Sequence, residues 1–342
     1  MIKYSIVVPT FNRSKILKRC LKNIEALKRP KNDFEVFVID NGSIDYTKSV
    51  IESFNNRIRN LRYIYEERPG LHVVRHLGAK KAKGDILCYL DDDSFVDKNW
   101  LIGIDEVFKI AEVDLAGGPN LPEFEEKPPR WIHYFWKKTP FGKCLAQLSL
   151  LDFGNKAKWI PACYVFGCNY IIRKKKLFEL GGFNPDSVPQ DLLRYRGDGE
   201  TGLSAKLNAN GNKAYYSPKI KIKHFITKDR IKEEYFCKRS FNQGISDSFT
   251  ELRIKQRIHS KDDFDFMKNF RTQRFNYFGR KWYKTKVKIK NKIINKSAYK
   301  EYRKILDSMS ENHKEGVAFH KIEVEKDQVL KKYVLKEKYI ND

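Results

Sequence analysis

Four short apolar runs mark the N-terminal part of the chain: "SIVV" (5–8), "FEVFVI" (34–39), "LRYIY" (61–65) and "ILCYL" (86–90). Each is too short for a helix and lacks alternation, the pattern of a strand buried on both faces. Helical periodicity fills the gaps. Ile16, Leu17, Cys20, Leu21, Ile24 and Leu27 recur at spacings of three and four after Ser14, a capping residue type, and the run stops before Pro30. Segments 45–54 and 72–83 fill the next two gaps. Strands alternating with helices predict an α/β fold, a mostly parallel, doubly wound sheet with right-handed crossovers. In such sheets ligands bind beyond the carboxyl ends of the strands. The residues at those ends are "PTFN" (9–12), "DNGSID" (40–45), "EERPG" (66–70) and "DDDS" (91–94), all polar or turn-forming, and they are expected to line one crevice.

Beyond Pro119 the alternation fails. Prolines and aromatics interleave in "PNLPEFEEKPPRWIHYFW" (119–136), which reads as an irregular substrate-side region or lid reaching to about Trp159. Regular structure resumes with "VFGCNYIIRKKKLFELGGF" (165–183) as strand then helix, "GETGLSAKLNANG" (199–211) as a helix with a glycine stop, and "YYSPKIKIKHF" (215–225) as one strand of alternating Lys and Ile. From about Ser246 onward Lys and Arg are scattered among aromatics, as in "FGRKWYKTKVKIKNKIINK" (278–296), and the stretch reads as a basic helical appendage. The expected division is a domain over 1–245, with halves of about 1–118 and 119–245, and a basic C-terminal region over 246–342.

Charge changes the picture of partners. The 342 residues hold 68 Lys and Arg against 43 Asp and Glu, a formal charge of +25, so anionic partners are expected: nucleic acid, an acidic membrane face, a nucleotide or a phosphorylated lipid. The six cysteines show neither CxxC pairs nor zinc spacing and read as reduced thiols. Met1 leads within a few residues into "YSIVVPT", unlike a signal peptide, and no apolar stretch approaches the roughly 20 residues of a membrane span. A cytoplasmic location is expected, with attachment to the inner face of the plasma membrane open.

Against that basic background, Asp91, Asp92 and Asp93 stand side by side at the end of a buried strand. Adjacent carboxylates there need a cation, and Mn²⁺ or Mg²⁺ bridging to a diphosphate suits oxygen ligands; the alternative is an acidic loop capping the helix near Trp100. Neither GxGxxG nor GxxxxGK[ST] follows a strand, which argues against dinucleotide dehydrogenases and P-loop enzymes. Asp40 could accept from a ribose or base, or merely shape a turn.

Taken in order, "SIVVPTFNR", "VIDNGSID", "GAKKAKGDILCYLDDDS", "GCNYIIRKKKLFELGGF" and "GETGLSAKLNANG" resemble the family 2 glycosyltransferases with a GT-A fold, over roughly residues 3–245. The resemblance implies transfer of a hexosyl or N-acetylhexosaminyl group from a nucleotide diphosphate sugar, most often a UDP-sugar, with inversion. The acceptor would be a glycan or lipid-linked, in cell-surface polysaccharide synthesis. By the same resemblance Pro9, Thr10, Phe11 and Asn12 would flank the nucleotide, and Asp40 with Asn41 would hold the uracil or ribose. Arg75 would lie near the phosphates or donor sugar, Asp91 and Asp92 beside ribose or sugar, and Gly167, Cys168 and Asn169 around the sugar pocket. Asp93 would bind the metal, with His224 completing that site. His76 stands where the family usually has Asn.

The catalytic base needs one carboxylate to take the acceptor's proton. Relatives place a Glu-Asp pair before a Leu-Ser helix start; here "GDGETGLS" separates Asp198 from Glu200 by Gly199, and counting back from Leu203 and Ser204 favours Glu200. Favouring the helix N-terminus is the other role open to both acids. Trp131, Trp136 and Trp159 could stack on an acceptor sugar or lie in a core. Two rival functions fit less well: a sugar-1-phosphate nucleotidyltransferase, which would show a glycine-rich basic loop where "PTFNRSK" stands, and a polyanion or nucleic-acid binder, which leaves the aspartates unexplained. Nucleic acid is accordingly not the expected partner. For the tail, membrane attachment, a homodimer contact and a solvated appendage stay open.

Overall fold

The structure, a computed structural model, describes residues 2–211, 213–256 and 296–341. Its first four strands, β1 (Tyr4–Thr10), β2 (Phe34–Asp40), β3 (Leu61–Tyr65) and β4 (Ile86–Leu90), alternate with helices α1 (Ser14–Glu25), α2 (Thr47–Glu52) and α3 (Leu71–Lys81). All four strands run parallel in the order β4-β1-β2-β3. β1, β2 and β4 are buried along their whole length, which is why their sequences are continuous apolar runs. On α1 the positions at spacings of three and four, Leu17, Cys20, Leu21 and Ile24, are the ones buried against the sheet.

Next come β5 (Ser94–Val96), α4 (Trp100–Phe108), β6 (Leu115–Gly117), β7 (Asn120–Phe124), β8 (Lys137–Lys138), β9 (Lys143–Leu145), β10 (Leu150–Asp152), β11 (Lys158–Ile160), β12 (Asn169–Arg173), α5 (Lys174–Glu179), α6 (Glu200–Ala209), β13 (Ala214–Tyr216) and β14 (Ile222–Ile226). The main sheet has eight strands in the order β11-β13-β6-β12-β4-β1-β2-β3, with β12 antiparallel to both β4 and β6. The architecture is the mixed α/β one that the resemblance implies.

Segment 119–159, expected to be irregular, instead supplies β7 to β10 of a second, six-stranded sheet ordered β5-β14-β7-β10-β9-β8. Its strands are two to five residues long and interrupted by prolines, too short for a period to show. "YYSPKIKIKHF" is two strands rather than one, because the chain turns at Ser217–Ile220 around Pro218, which lacks an N–H for the ladder. In β14 the alternation holds: Ile222, His224 and Ile226 are buried and Lys223 is exposed.

Helices α7 (Glu233–Lys255), α8 (Lys296–Lys326) and α9 (Gln328–Val334) form the C-terminal part. The boundary expected after residue 245 falls inside α7. Nor are these helices a loose appendage. Phe236 of α7 and Ile305 and Met309 of α8 share a core with Trp131, Ile132 and Phe135, and Ile340 is buried in the core beneath the main sheet. Trp131 is therefore a core residue, 2% exposed, and is removed from the acceptor candidates. The aromatic-basic stretch with Phe278 and Trp282 lies outside the described residues. No described helix is long and apolar enough to cross a membrane.

Candidate active site

The parallel strands deliver their carboxyl ends to one crevice. Thr10 ends β1 and its Oγ1 donates to Asp92 Oδ2 at 2.8 Å. Asn12, in the left-handed region (φ 51°), links the neighbouring loop: its backbone N–H donates to Ser43 Oγ and its Oδ1 accepts from the Ile44 N–H. Pro9 is buried within β1, whereas Phe11 projects from the rim, 56% exposed. Asp40, buried at the end of β2, accepts from the Ser43 N–H at 2.8 Å and from the Tyr63 hydroxyl at 3.1 Å. At Asn41, Nδ2 donates to the carbonyls of Glu66 and Arg68 and Oδ1 accepts from the Gly70 N–H, so the side chain holds the loop into α3.

The three aspartates are each met by an arginine. Arg13 Nη1 donates to Asp92 Oδ1 and to Asp93 Oδ2, both at 3.0 Å, and Arg230 Nη1 donates to Asp93 Oδ2 at 3.1 Å. Arg75 Nη2 donates to Asp91 Oδ1 at 3.2 Å. Burial pushes the Asp92 carboxyl up. For Asp93 burial acts the same way, but His224, Arg230 and Arg13 outweigh it and hold the carboxyl well below the usual range. Arg13 and Arg230 were not singled out from sequence. Arg13 directly follows "PTFN", a usable signal, whereas Arg230 reaches the site from a turn 137 residues away in sequence.

His224 and Asp93 face each other across the β14–β5 junction. His224 Nε2 lies 3.2 Å from Asp93 Oδ1, yet that buried oxygen accepts no hydrogen bond and His224 Nδ1 has no partner. A carboxylate oxygen left unsatisfied beside an imidazole nitrogen fits a divalent ion that takes its remaining ligands from a diphosphate. Among the described residues no group of three or more acidic, His or Cys side chains is arranged to hold a metal unaided.

Deeper in the crevice, Arg75 is 2% exposed and joins two carboxylates. Besides Asp91, its Nη2 donates to the Gly167 carbonyl at 3.1 Å, and its Nη1 lies 3.8 Å from Glu200 Oε2. Gly167 is shaped by this contact, since a Cβ there would sit 2.7 Å from Arg75 Nη2. The two candidate bases are now distinguishable. Asp198 is 6% exposed, and its oxygens accept from Asn184 Nδ2 and Thr250 Oγ1, each at 2.7 Å. Glu200 opens α6 with its side chain 27% exposed, and its Oε1 accepts only a long contact from the Gly167 N–H at 3.4 Å. Burial raises the Glu200 carboxyl; Arg75 opposes that, while Asp186 and Asp91 add to it. Between the two acids Gly199 takes φ 55°, a conformation that turns Asp198 inward and Glu200 toward the crevice.

Three other residues named from the sequence make structural contacts. Asn169 is 1% exposed and ties Trp100, Asn120 and the Ile220 carbonyl together. Its neighbour Cys168 is a buried free thiol. His76 accepts from the Phe183 N–H at 2.9 Å and anchors the turn after α5. Asp186, unremarked in the sequence, is paired with Arg196 at 2.5 Å beside Glu200's loop.

Comparison with known proteins bears on this site. The glycosyltransferase AglE of Haloferax volcanii is 33% identical over 115 residues, covering 33% of this chain and 38% of AglE. The poly(ribitol-phosphate) beta-N-acetylglucosaminyltransferase TarS of Staphylococcus aureus is 29% identical over 102 residues, covering 30% of this chain and 18% of TarS. The matches thus span well under half the length of these curated relatives. The crystal structure of S. aureus TarS 1–349 with UDP superposes with a TM-score of 0.49 at 19% identity, covering 70% of this chain and 65% of that one. The profile of Glycosyl transferase family 2 matches residues 5–181, from β1 through α5, which is more than half of the chain and includes the aspartate cluster, Arg75 and Gly167. The chain belongs to glycosyl transferase family 2.

Proposed function

We propose that the protein is an inverting, metal-dependent glycosyltransferase that moves a sugar from a nucleotide diphosphate donor, a UDP-sugar, to a hydroxyl of a glycan or lipid-linked acceptor. The observation that supports this reading most directly is the pairing of a partly open carboxylate, Glu200, with the arginine-lined aspartates at the ends of β1, β2 and β4.

In this reading Asp40 and the Phe11–Asn12 turn receive the nucleoside, and Asp91 takes a hydroxyl of ribose or donor sugar. Asp93 and His224 hold Mn²⁺ or Mg²⁺, which when bound would offset charge on the leaving diphosphate. Arg13 and Arg230 place two further positive charges at the same strand end, where that charge develops. Glu200 accepts the proton of the acceptor hydroxyl as its oxygen bonds to the anomeric carbon. The bond from that carbon to the diphosphate breaks on the opposite face, so the configuration inverts and the nucleoside diphosphate leaves with the electron pair. The ionised carboxylate that accepts this proton is partly open at Glu200, whereas both oxygens of Asp198 already accept hydrogen bonds.

The test is a panel of nucleotide sugars with Mn²⁺, scored by nucleoside diphosphate release, using wild type and Glu200→Gln. Release from at least one donor, lost in the variant, supports the reading. Release from none, or an undiminished rate in Glu200→Gln, overturns it. For the acceptor, co-sedimentation with anionic vesicles at low and high salt examines whether the basic chain works at a cytoplasmic membrane face, where each Lys or Arg contributes about 1 kcal/mol.

A further inference from the structure

Arg75 is buried, yet it is not consumed by one partner. Its guanidinium spans the Asp91 carboxylate at 3.2 Å and the Glu200 carboxylate at 3.8 Å, and it is steadied by the Gly167 carbonyl. Beneath it, the Phe183 ring centroid lies 5.2 Å from the guanidinium carbon, with Tyr89 at 5.9 Å. Aromatic rings thus floor the guanidinium, and the absence of a side chain at Gly167 makes room for it, since a Cβ there would lie 2.7 Å from Nη2.

We infer that Arg75 is a positioning residue that couples the donor side of the crevice to the base: it divides one positive charge between Asp91 and Glu200, so that whatever engages Asp91 changes how firmly Glu200 is held ionised. The inference rests on the reading of Glu200 as the base, but the coupling itself does not require that reading. Its physics is a competition. Asp91 is one-third exposed, at 32%, and can exchange its bond from Arg75 for one from a ligand hydroxyl, while Glu200, 27% exposed, stands 3.8 Å from Arg75. A hydroxyl donating to Asp91 weakens the Arg75–Asp91 bond and leaves Arg75 free to close on Glu200. Reciprocity then requires that ionising Glu200 alter the affinity for whatever occupies Asp91 by the same factor.

The charged and titratable groups around Glu200 are Arg75 from α3, Asp91 from the end of β4, Asp186 from the loop before α6, Tyr170 from β12 and the buried Cys168. Of these Arg75 is the cationic one, and it touches both Glu200 and Asp91. That makes opposite signs the diagnostic. Removing Arg75 must raise the proton affinity of Glu200, and neutralising Asp91 must lower it, because Asp91 both repels Glu200 and draws Arg75 away.

The experiment is carboxyl carbon NMR of the full-length protein labelled at Glu, with the Glu200 signal assigned by its loss in Glu200→Gln, titrated with pH in wild type, Arg75→Gln, Arg75→Lys and Asp91→Asn. The expected result is a rise in Glu200 proton affinity of about tenfold or more in Arg75→Gln, near-restoration in Arg75→Lys, and a fall in Asp91→Asn. An unmoved Glu200 in Arg75→Gln, or an upward shift in Asp91→Asn, overturns the coupling. Should Arg75→Gln fail to fold, Asp91→Asn, at a partly exposed side chain, decides alone by the sign of its shift. If Glu200→Gln retains full transfer the base assignment falls, and the titration shifts still stand or fall on their own.

Discussion

The Thr250 hydroxyl donates to Asp198 Oδ2 at 2.7 Å, tying the middle of α7 to the loop that presents Glu200. Asn184 occupies the other oxygen, so Asp198 serves as an internal bracket. Asp198→Asn should therefore cost stability, about 1–3 kcal/mol from a disturbed buried hydrogen-bond pair, with nucleoside diphosphate release kept in the folded fraction. Glu200→Gln should do the reverse: unchanged urea midpoint and a rate lower by about 10² to 10⁴. Parallel denaturation and rate measurements on the two variants check both halves. Full transfer lost only in Asp198→Asn would reverse the assignment.

Asp93 is the point where His224, Arg13 and Arg230 converge. With Asp93→Ala, calorimetric titration of UDP should lose its dependence on Mn²⁺, while wild-type binding should weaken on adding EDTA. Equal UDP affinity in wild type and variant, indifferent to EDTA, would remove the metal from Asp93.

Helices α7 and α8 cross at two glycines. A Cβ on Gly316 would lie 2.0 Å from the Phe241 carbonyl oxygen, and one on Gly244 would lie 2.1 Å from that of His313. Alanine is the better helix former by ~1 kcal/mol, yet backbone cannot yield as a flexible side chain does, and overpacking of this kind costs about 1–3 kcal/mol. Gly316→Ala should lower the melting temperature despite its favourable propensity. An unchanged or raised melting temperature would mean that the helices separate without penalty.

Three buried histidines make the fold sensitive to mild acid. Burial holds His72 and His320 down to about 4 and His76 well below its ordinary value. A histidine depressed in the folded state binds its proton only in the unfolded chain between the two pKa values, so stability falls as pH drops from about 6.5 toward 4. At pH 5 His72 and His320 each contribute a loss of about 2 kcal/mol relative to pH 7, and His76 acts in the same direction. Urea unfolding at the two pH values measures the total, and His320→Gln should reduce the difference. A difference that is unchanged in that variant would exclude His320 from the effect.

Periodicity alone located the first seven elements. β1, β2 and β4 are apolar because they are covered on both faces, whereas the edge strand β3 is only partly covered, and α1 shows its buried stripe because one face meets the sheet. Those are local consequences of burial, and a sequence displays them directly. The order of the strand-end loops likewise brought Thr10, Asp40 and the aspartate cluster to one crevice, since a parallel sheet sends every carboxyl end the same way. What periodicity could not display was set by contacts between distant segments. The six-stranded sheet uses strands of a few residues whose partners lie far along the chain, as where β14 joins β5 and β7. Asn41, Asn169 and His76 are polar types suited to binding, yet each is spent on a backbone or side-chain bond that only folding supplies. Arg230 and Thr250 enter from beyond the matched family segment to complete a carboxylate each. Asp198 and Glu200, two acids separated by one glycine, differ in which already has its hydrogen bonds, a property of the neighbours that surround them in space.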